Sequence, residues 1–133
     1  MSRSATSPQT PSWTDGLCEG LTVLELASVL AGPSVGQFFA ELGARVIKVE
    51  NPSTQGDVTR TWKTATEPDS DRSAYFHACN WGKESVAIDL CSNAGIRLLH
   101  ELVAASDIVI SNYLPRAAKK FEADFDQLKK VKS

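Results

Sequence analysis

The chain has 133 residues, 42% of them apolar and 23% charged, with a net charge of −2. That is the composition of one small globular domain, and its Lys and Arg, scattered among Asp and Glu, mark neither a nucleic-acid face nor an anionic-membrane patch. No apolar run reaches the roughly 20 residues of a membrane span, and the amino terminus lacks the hydrophobic core of a secretory signal, so a cytoplasmic protein is expected.

Residues 1–20 begin with a stretch rich in Ser, Thr and Pro and read as a disordered leader. Residues 21–26 (LTVLEL) alternate as a strand buried on both faces. A helix follows, with Pro33 at its first position and Gly43 as a left-handed cap. Val35, Phe38, Phe39 and Leu42 fall at i, i+3, i+4 and i+7, which predicts the apolar face that covers the sheet. Residues 44–50 (ARVIKVE) supply a second strand and complete a right-handed βαβ unit. Ligands of such sheets gather beyond the carboxyl ends of the strands, here residues 27–32 and the region after Glu50. Small residues such as Ala31 and Gly32 serve equally well to let helix and strand approach.

Residues 51–72 form a long polar connection whose Pro, Gly and charges exclude a buried element. Within it, G-D-V-T-R-T-W (56–62) leaves two readings open. One is a ligand or subunit contact; the other is Trp62 folded back, with Arg60 paired to Asp57. Residues 73–80 suit a short helix and 80–83 a turn, ahead of a third strand at 85–90. Ser92 caps the next helix, whose stripe is Ile96, Leu99, Leu102 and Val103, with Gly95 a small cost in its first turn. A fourth strand occupies 108–111. Ala117, Phe121, Phe125, Leu128 and Val131 space out one or two amphipathic helices at the end. Cys18, Cys79 and Cys91 are odd in number and far apart, so reduced thiols are expected. Neither they nor His77 and His100 have zinc spacing, and packing roles are favoured over a cysteine nucleophile. No metal is expected.

The elements add up to an α/β fold, a mostly parallel sheet with helices on both faces, and five segments carry a specific likeness. They are L-x-V-L-E-L-x-x-V-L-A-G-P, L-G-A-x-V-I-K-V-E-x-P, G-D-x-T-R-x-W, S-A-Y-F-x-x-x-N-x-G-K-x-S-V-x-I-D-L and A-S-D-I-V-I-S-N-Y. In this order and spacing the chain resembles, over residues 17–121, the amino-terminal part of the family III CoA-transferases. That family includes formyl-CoA and carnitine CoA-transferases and, as a divergent branch, α-methylacyl-CoA racemase.

The resemblance implies that residues 21–133 are the first half of a Rossmann-like large domain, truncated relative to the family fold, whose subunits interlock as a homodimer. It implies acyl-CoA and carboxylic acid as substrates and no permanently bound cofactor. An Asp carboxylate attacks the thioester to give a mixed anhydride, and the released CoA thiolate returns to form an aspartyl-CoA thioester that the acceptor acid resolves. Carried onto this chain, the CoA contacts are Leu30, Ala31, Ile88, Asp89, Leu90, Cys91, Asn112, Tyr113, Leu114 and Lys120. The chain departs from the family's common pattern at Asn51 and Lys120, positions that often carry Arg, and at Arg116 and Glu122, positions that often carry Gly. The family's catalytic Asp lies in a later segment, so no catalytic residue is expected here, structural roles are expected for Asp57, Asp89 and Asp107, and the chain should be inactive alone. Two alternatives remain: a non-catalytic CoA- or nucleotide-binding or interaction fragment, and an NAD-dependent oxidoreductase using Glu50 at the end of the second strand. Against the second, A-S-V-L-A-G-P lacks the glycines of a dinucleotide turn.

Overall fold

The computed structural model describes residues 16–69 and 72–132. Strands β1 (Thr22–Leu26), β2 (Arg45–Glu50), β3 (Glu84–Ala87) and β4 (Ile108–Ser111) alternate with helices α1 (Ala31–Glu41), α2 (Ala74–Asn80), α3 (Asn93–Ala104), α4 (Pro115–Lys120) and α5 (Phe125–Val131). Residues 1–15 of the expected leader lie outside the described residues. Residues 16–20 form turns tied to the end of α1, where the Cys18 amide donates to the Leu42 carbonyl at 2.9 Å.

All strand pairs are parallel, in the order β3-β2-β1-β4. The chain winds outward from β1 through β2 to β3, then crosses to the other side of β1, so the loops after β1 and β4 separate and leave a crevice between them. Period-two alternation sorts the side chains by face. Leu24, Leu26, Ile47 and Val49 join Leu99 and Val103 of α3 in the larger core, which Leu128 and Val131 of α5 help to close. Val23 and Val46 form a smaller core on the α1 face. Fully burying a side chain such as Leu24 or Leu99 contributes about 2 kcal/mol.

On that second face the expected packing holds only in part: Phe39 packs against the Val23–Val46 core and Leu42 is half-buried, but the other two positions turn away. Val35 and Phe38 are 45% and 57% exposed, and α1 instead buries Gly32, Pro33, Gly36 and Gln37. The reason lies beneath the helix, where Glu25 on β1 and Lys48 on β2 are partners in register. Their side chains leave no room for Val or Phe, and a Cβ on Gly36 would overlap the Glu25 carboxylate. The helix also starts earlier than expected, so Pro33 is its third residue, still among the positions whose amides have no helical acceptor.

The caps follow the sequence more closely. Gly43 has φ +93°, with Gly43 and Ala44 amides donating to Ala40 and Phe39 carbonyls, the paired bonds of a left-handed helix stop. The same motif ends α4, where Glu122, with φ +51°, and Ala123 donate to Lys119 and Ala118. Ser92 accepts the Gly95 amide at 3.0 Å, as expected of a cap. Gly95 is more than a small cost: a Cβ there would collide with the Asp89 carbonyl oxygen. β3 ends at Ala87 rather than at residue 90 because its neighbour β2 ends at Glu50; one further bond, Ile88 amide to Glu50 carbonyl, closes the ladder. Among the described residues no helix is long and apolar enough to cross a membrane.

Gly36→Ala should lower stability by about 1–3 kcal/mol through forced displacement of Glu25. Glu122→Gly should instead raise it by up to about 1 kcal/mol by relieving a left-handed L-residue. Thermal melts of the two variants beside the wild type check both signs.

Candidate functional site

The carboxyl ends of the strands rest on a buried network of charges. Lys48, 1% exposed, donates from Nζ to Glu25 Oε1 at 2.8 Å and to the Ala27 carbonyl at 2.7 Å, and lies 3.0 Å from Asp57 Oδ2. Lys83 Nζ donates to Glu25 Oε2 at 2.7 Å, to the Pro33 carbonyl at 2.8 Å and to Asn80 Oδ1 at 3.0 Å. Glu50 receives Arg60 Nε at 2.7 Å and the Asp57 amide at 2.7 Å on one oxygen, and Arg60 Nη2 and Ser85 Oγ on the other. Three carboxylates thus meet three cations, and Arg60 also stacks over Phe76 at 3.9 Å.

This geometry corrects two expectations for residues 51–72. Arg60 pairs with Glu50 rather than Asp57, because Lys48 already holds Asp57. The segment is not wholly superficial either: after an exposed 3₁₀ turn at Pro52–Thr54, a second at Val58–Thr61 carries it inward, with Thr59 fully buried and Asp57 5% exposed. Its polar residues can be buried because each finds a partner. Ser73, also fully buried, donates to the Thr59 carbonyl and caps α2 by accepting the Phe76 amide. Trp62 meets Tyr75 edge-on but stays 46% exposed.

Burial raises the Glu50 carboxyl, but hydrogen bonds from Arg60, Ser85 and the Asp57 amide, with the charge of Arg60, outweigh it and hold the pKa at about 2. Asp57 is likewise held below the usual range: burial opposes ionisation, and the Thr59 amide and Lys48 overcome it. Burial pushes the Lys83 ammonium down, with Glu25 opposing. Burial also pushes the Tyr113 phenol up, so it remains a neutral hydroxyl.

Two adjoining clefts open above this floor. The larger, about 320 Å³, lies between the β1–α1 loop and residues 51–61, with Ser28, Thr54 and Val58 on its walls and Lys48 and Asp57 at its base. The smaller, about 140 Å³, lies beyond β3, and both share Glu50, Asn51 and Tyr113. Of the expected contacts, Ile88, Asp89, Leu90, Cys91 and Tyr113 line the smaller cleft. Lys120 Nζ stands 3.7 Å from Cys91 Sγ at its edge. Asn112 clasps the crevice, accepting the Ser28 amide and donating to the Ser28 carbonyl. Leu30 and Ala31 begin α1, and Leu114 precedes α4 at 76% exposed; none of these three lines either cleft.

Sequence reasoning missed the floor itself, although a lone Lys within the apolar run of β2 was a signal. Asp57 starts a 3₁₀ turn by accepting the Thr59 amide, Asp89 accepts the Cys91 amide, and Asp107 accepts the Thr22 amide. Asn51 turns its side chain back to accept the Ser53 amide.

The family profile described as CoA-transferase family III matches residues 18–133. The chain belongs to that family. Among its family III relatives, succinate–glutarate CoA-transferase of Agrobacterium fabrum is 43% identical over 114 residues, covering 83% of this chain and 28% of the relative. Formyl-CoA:oxalate CoA-transferase of Streptomyces coelicolor is 37% identical over 113 residues, covering 85% and 27%. The crystal structure of a CAIB/BAIF family protein from Brucella suis superposes with a TM-score of 0.78 at 43% identity, covering 89% of this chain and 31% of that one. The chain therefore spans less than a third of the length of these relatives.

For Glu50 the folded pKa lies below the ordinary value of 4.5, so its contribution, roughly 3 kcal/mol, is complete above about pH 4.5 and is lost as pH falls toward 2. Glu50→Gln should reduce stability at pH 7 and flatten the loss between pH 4.5 and 2, leaving the share due to Asp57. Urea unfolding at a series of pH values measures both effects.

Proposed function

We propose that the two clefts bind the CoA portion of an acyl-CoA, as the amino-terminal part of a family III CoA-transferase that passes CoA to a carboxylic acid. What carries the proposal is the coincidence of place: the strand-end residues that the family likeness marks for CoA, Ile88 to Cys91 and Tyr113, line a cleft at the carboxyl edge of the sheet. Residues 88–91 and 112–114 meet the nucleotide, with Lys120 at the rim offering charge to its phosphates, and the pantetheine arm runs past Tyr113 toward Leu30 and Ala31. Asn51 adds no cation, so the phosphate grip is weaker than an Arg there would give.

The nucleophilic carboxylate belongs, on this proposal, to the remaining family length. Support comes from Asp57, Asp89 and Asp107, each of which spends its carboxylate on backbone amides of this chain. The polypeptide alone then binds CoA without transferring it. A cytoplasmic homodimer accompanies the assignment, and the exposed Val35 and Phe38 on α1 offer apolar surface for a partner subunit. An NAD-dependent reaction is disfavoured because both oxygens of Glu50 are already occupied by Arg60, Ser85 and the Asp57 amide.

Calorimetric titration should show CoA binding and no NAD binding, with Lys120→Ala weakening CoA about fivefold, the loss of one charge-assisted contact. NAD binding without CoA binding would overturn the assignment. Incubation with an acyl-CoA should leave the protein mass unchanged; a stable CoA adduct would place a nucleophile within these residues.

A further inference from the structure

Resting on the CoA-binding proposal, we infer that Asp57 is a positioning residue: its carboxylate holds the Val29 amide and keeps the β1–α1 loop in the shape that presents Leu30 and Ala31 to the ligand. Val29 has φ +70°. For a β-branched residue the left-handed region is strained, and such a conformation persists only where its surroundings impose it.

The surroundings here are three side chains from three parts of the chain, gripping three consecutive residues. Lys48 of β2 takes the Ala27 carbonyl at 2.7 Å. Asn112, just beyond β4, takes the amide and carbonyl of Ser28 at 3.2 and 2.8 Å. Asp57 accepts the Val29 amide, with Oδ2 at 3.3 Å. Asp57 is itself immobilised by the Thr59 amide at 3.0 Å, the Thr59 hydroxyl at 2.8 Å and Lys48 at 3.0 Å. The grip stops there. Leu30 makes no side-chain cap on α1, so the bend ends with the helix start uncapped, next to the residues expected to meet CoA.

A loop held in a strained shape by one carboxylate has a definite consequence for affinity. Remove the carboxylate and the competent shape becomes a minor population, and apparent affinity falls by that fraction with no ligand contact deleted. Glycine at position 29 removes the strain itself, because it adopts positive φ freely. Asp57 and Val29 are therefore coupled in ligand binding, which a merely structural role for Asp57 does not require.

The test is a CoA titration of the full chain as wild type, Asp57→Asn, Val29→Gly and the double variant, with circular dichroism to confirm folding. Asp57→Asn should bind CoA about tenfold more weakly while folded, and the double variant should return to within about threefold of Val29→Gly. A folded Asp57→Asn that binds like wild type, or a double variant no better than Asp57→Asn, overturns the role while leaving CoA binding intact. Wild type that ignores CoA sinks the functional proposal and this role with it. If Asp57→Asn does not fold, hydrogen exchange at the Val29 amide of the wild type decides: protection supports the clamp, and exchange at an open-loop rate overturns it.

Discussion

A single ammonium group organises the carboxyl end of the sheet. Lys48 is nearly inaccessible to water, and desolvating it costs several kcal/mol unless its donors are used. They are used on Glu25, the Ala27 carbonyl and Asp57, which join two strands, the loop that leaves the first and the connection that follows the second. Glu25 then needs a second cation for its other oxygen, and Lys83 supplies it while also bonding Pro33 and Asn80 of α1 and α2. Toward the carboxyl ends of the strands the α1 face is thus closed by ionic contacts, beside the small apolar core of Val23, Val46 and Phe39. Those contacts explain why a glycine, Gly36, stands over Glu25, while Gly32 makes room for Ala27.

Buried ion pairs are weak evidence of net stability, since apolar replacements of similar volume are often as good. Their value here is directional. An apolar cluster would tolerate small shifts of residues 27–30 and 57–60, whereas a carboxylate shared between a lysine and specific amides does not. The Ala27 carbonyl, the Ser28 backbone and the Val29 amide each have one partner at a fixed distance. The crevice between β1 and β4 inherits its outline from these contacts.

Periodicity located β1, α1 and α3 because it records which side chains alternate between solvent and core, and tertiary packing respected that pattern on the α3 face, where Leu99 and Val103 are buried. It misjudged α1 because that helix has two candidate faces, one of large apolar residues and one of Gly32, Gly36 and Ala40. Counting hydrophobes chooses the first. Only the register that sets Glu25 beside Lys48 reveals why the second faces the sheet. The polar stretch G-D-V-T-R-T-W was misjudged for a related reason: its burial depends on ion pairs with Lys48 and Glu50 at the end of β2, and hydrophobic periodicity does not register charge partners. Glu122, noted as standing where the family often has glycine, was legible in part, since a left-handed helix stop is what favours glycine there.

The neutrality of the floor bears directly on what the clefts can hold. Glu50 lines both clefts proposed for CoA and Asp57 the larger one, and both remain ionised at neutral pH. One uncompensated carboxylate about 8 Å from a phosphate would cost about 2 kcal/mol at an effective dielectric constant of about 20, as much as a good phosphate contact contributes. Arg60 and Lys48 cancel that repulsion within the protein, at 2.7 and 3.0 Å respectively. Their charge is therefore spent before any ligand arrives, and cations that grip phosphate must come from elsewhere. On this chain the rim offers Lys120, on a short helix whose position is set by the left-handed turn at Glu122. On the proposed CoA assignment, ligand affinity and loop geometry thus draw on separate sets of charges, one buried and paired, the other exposed at the rim.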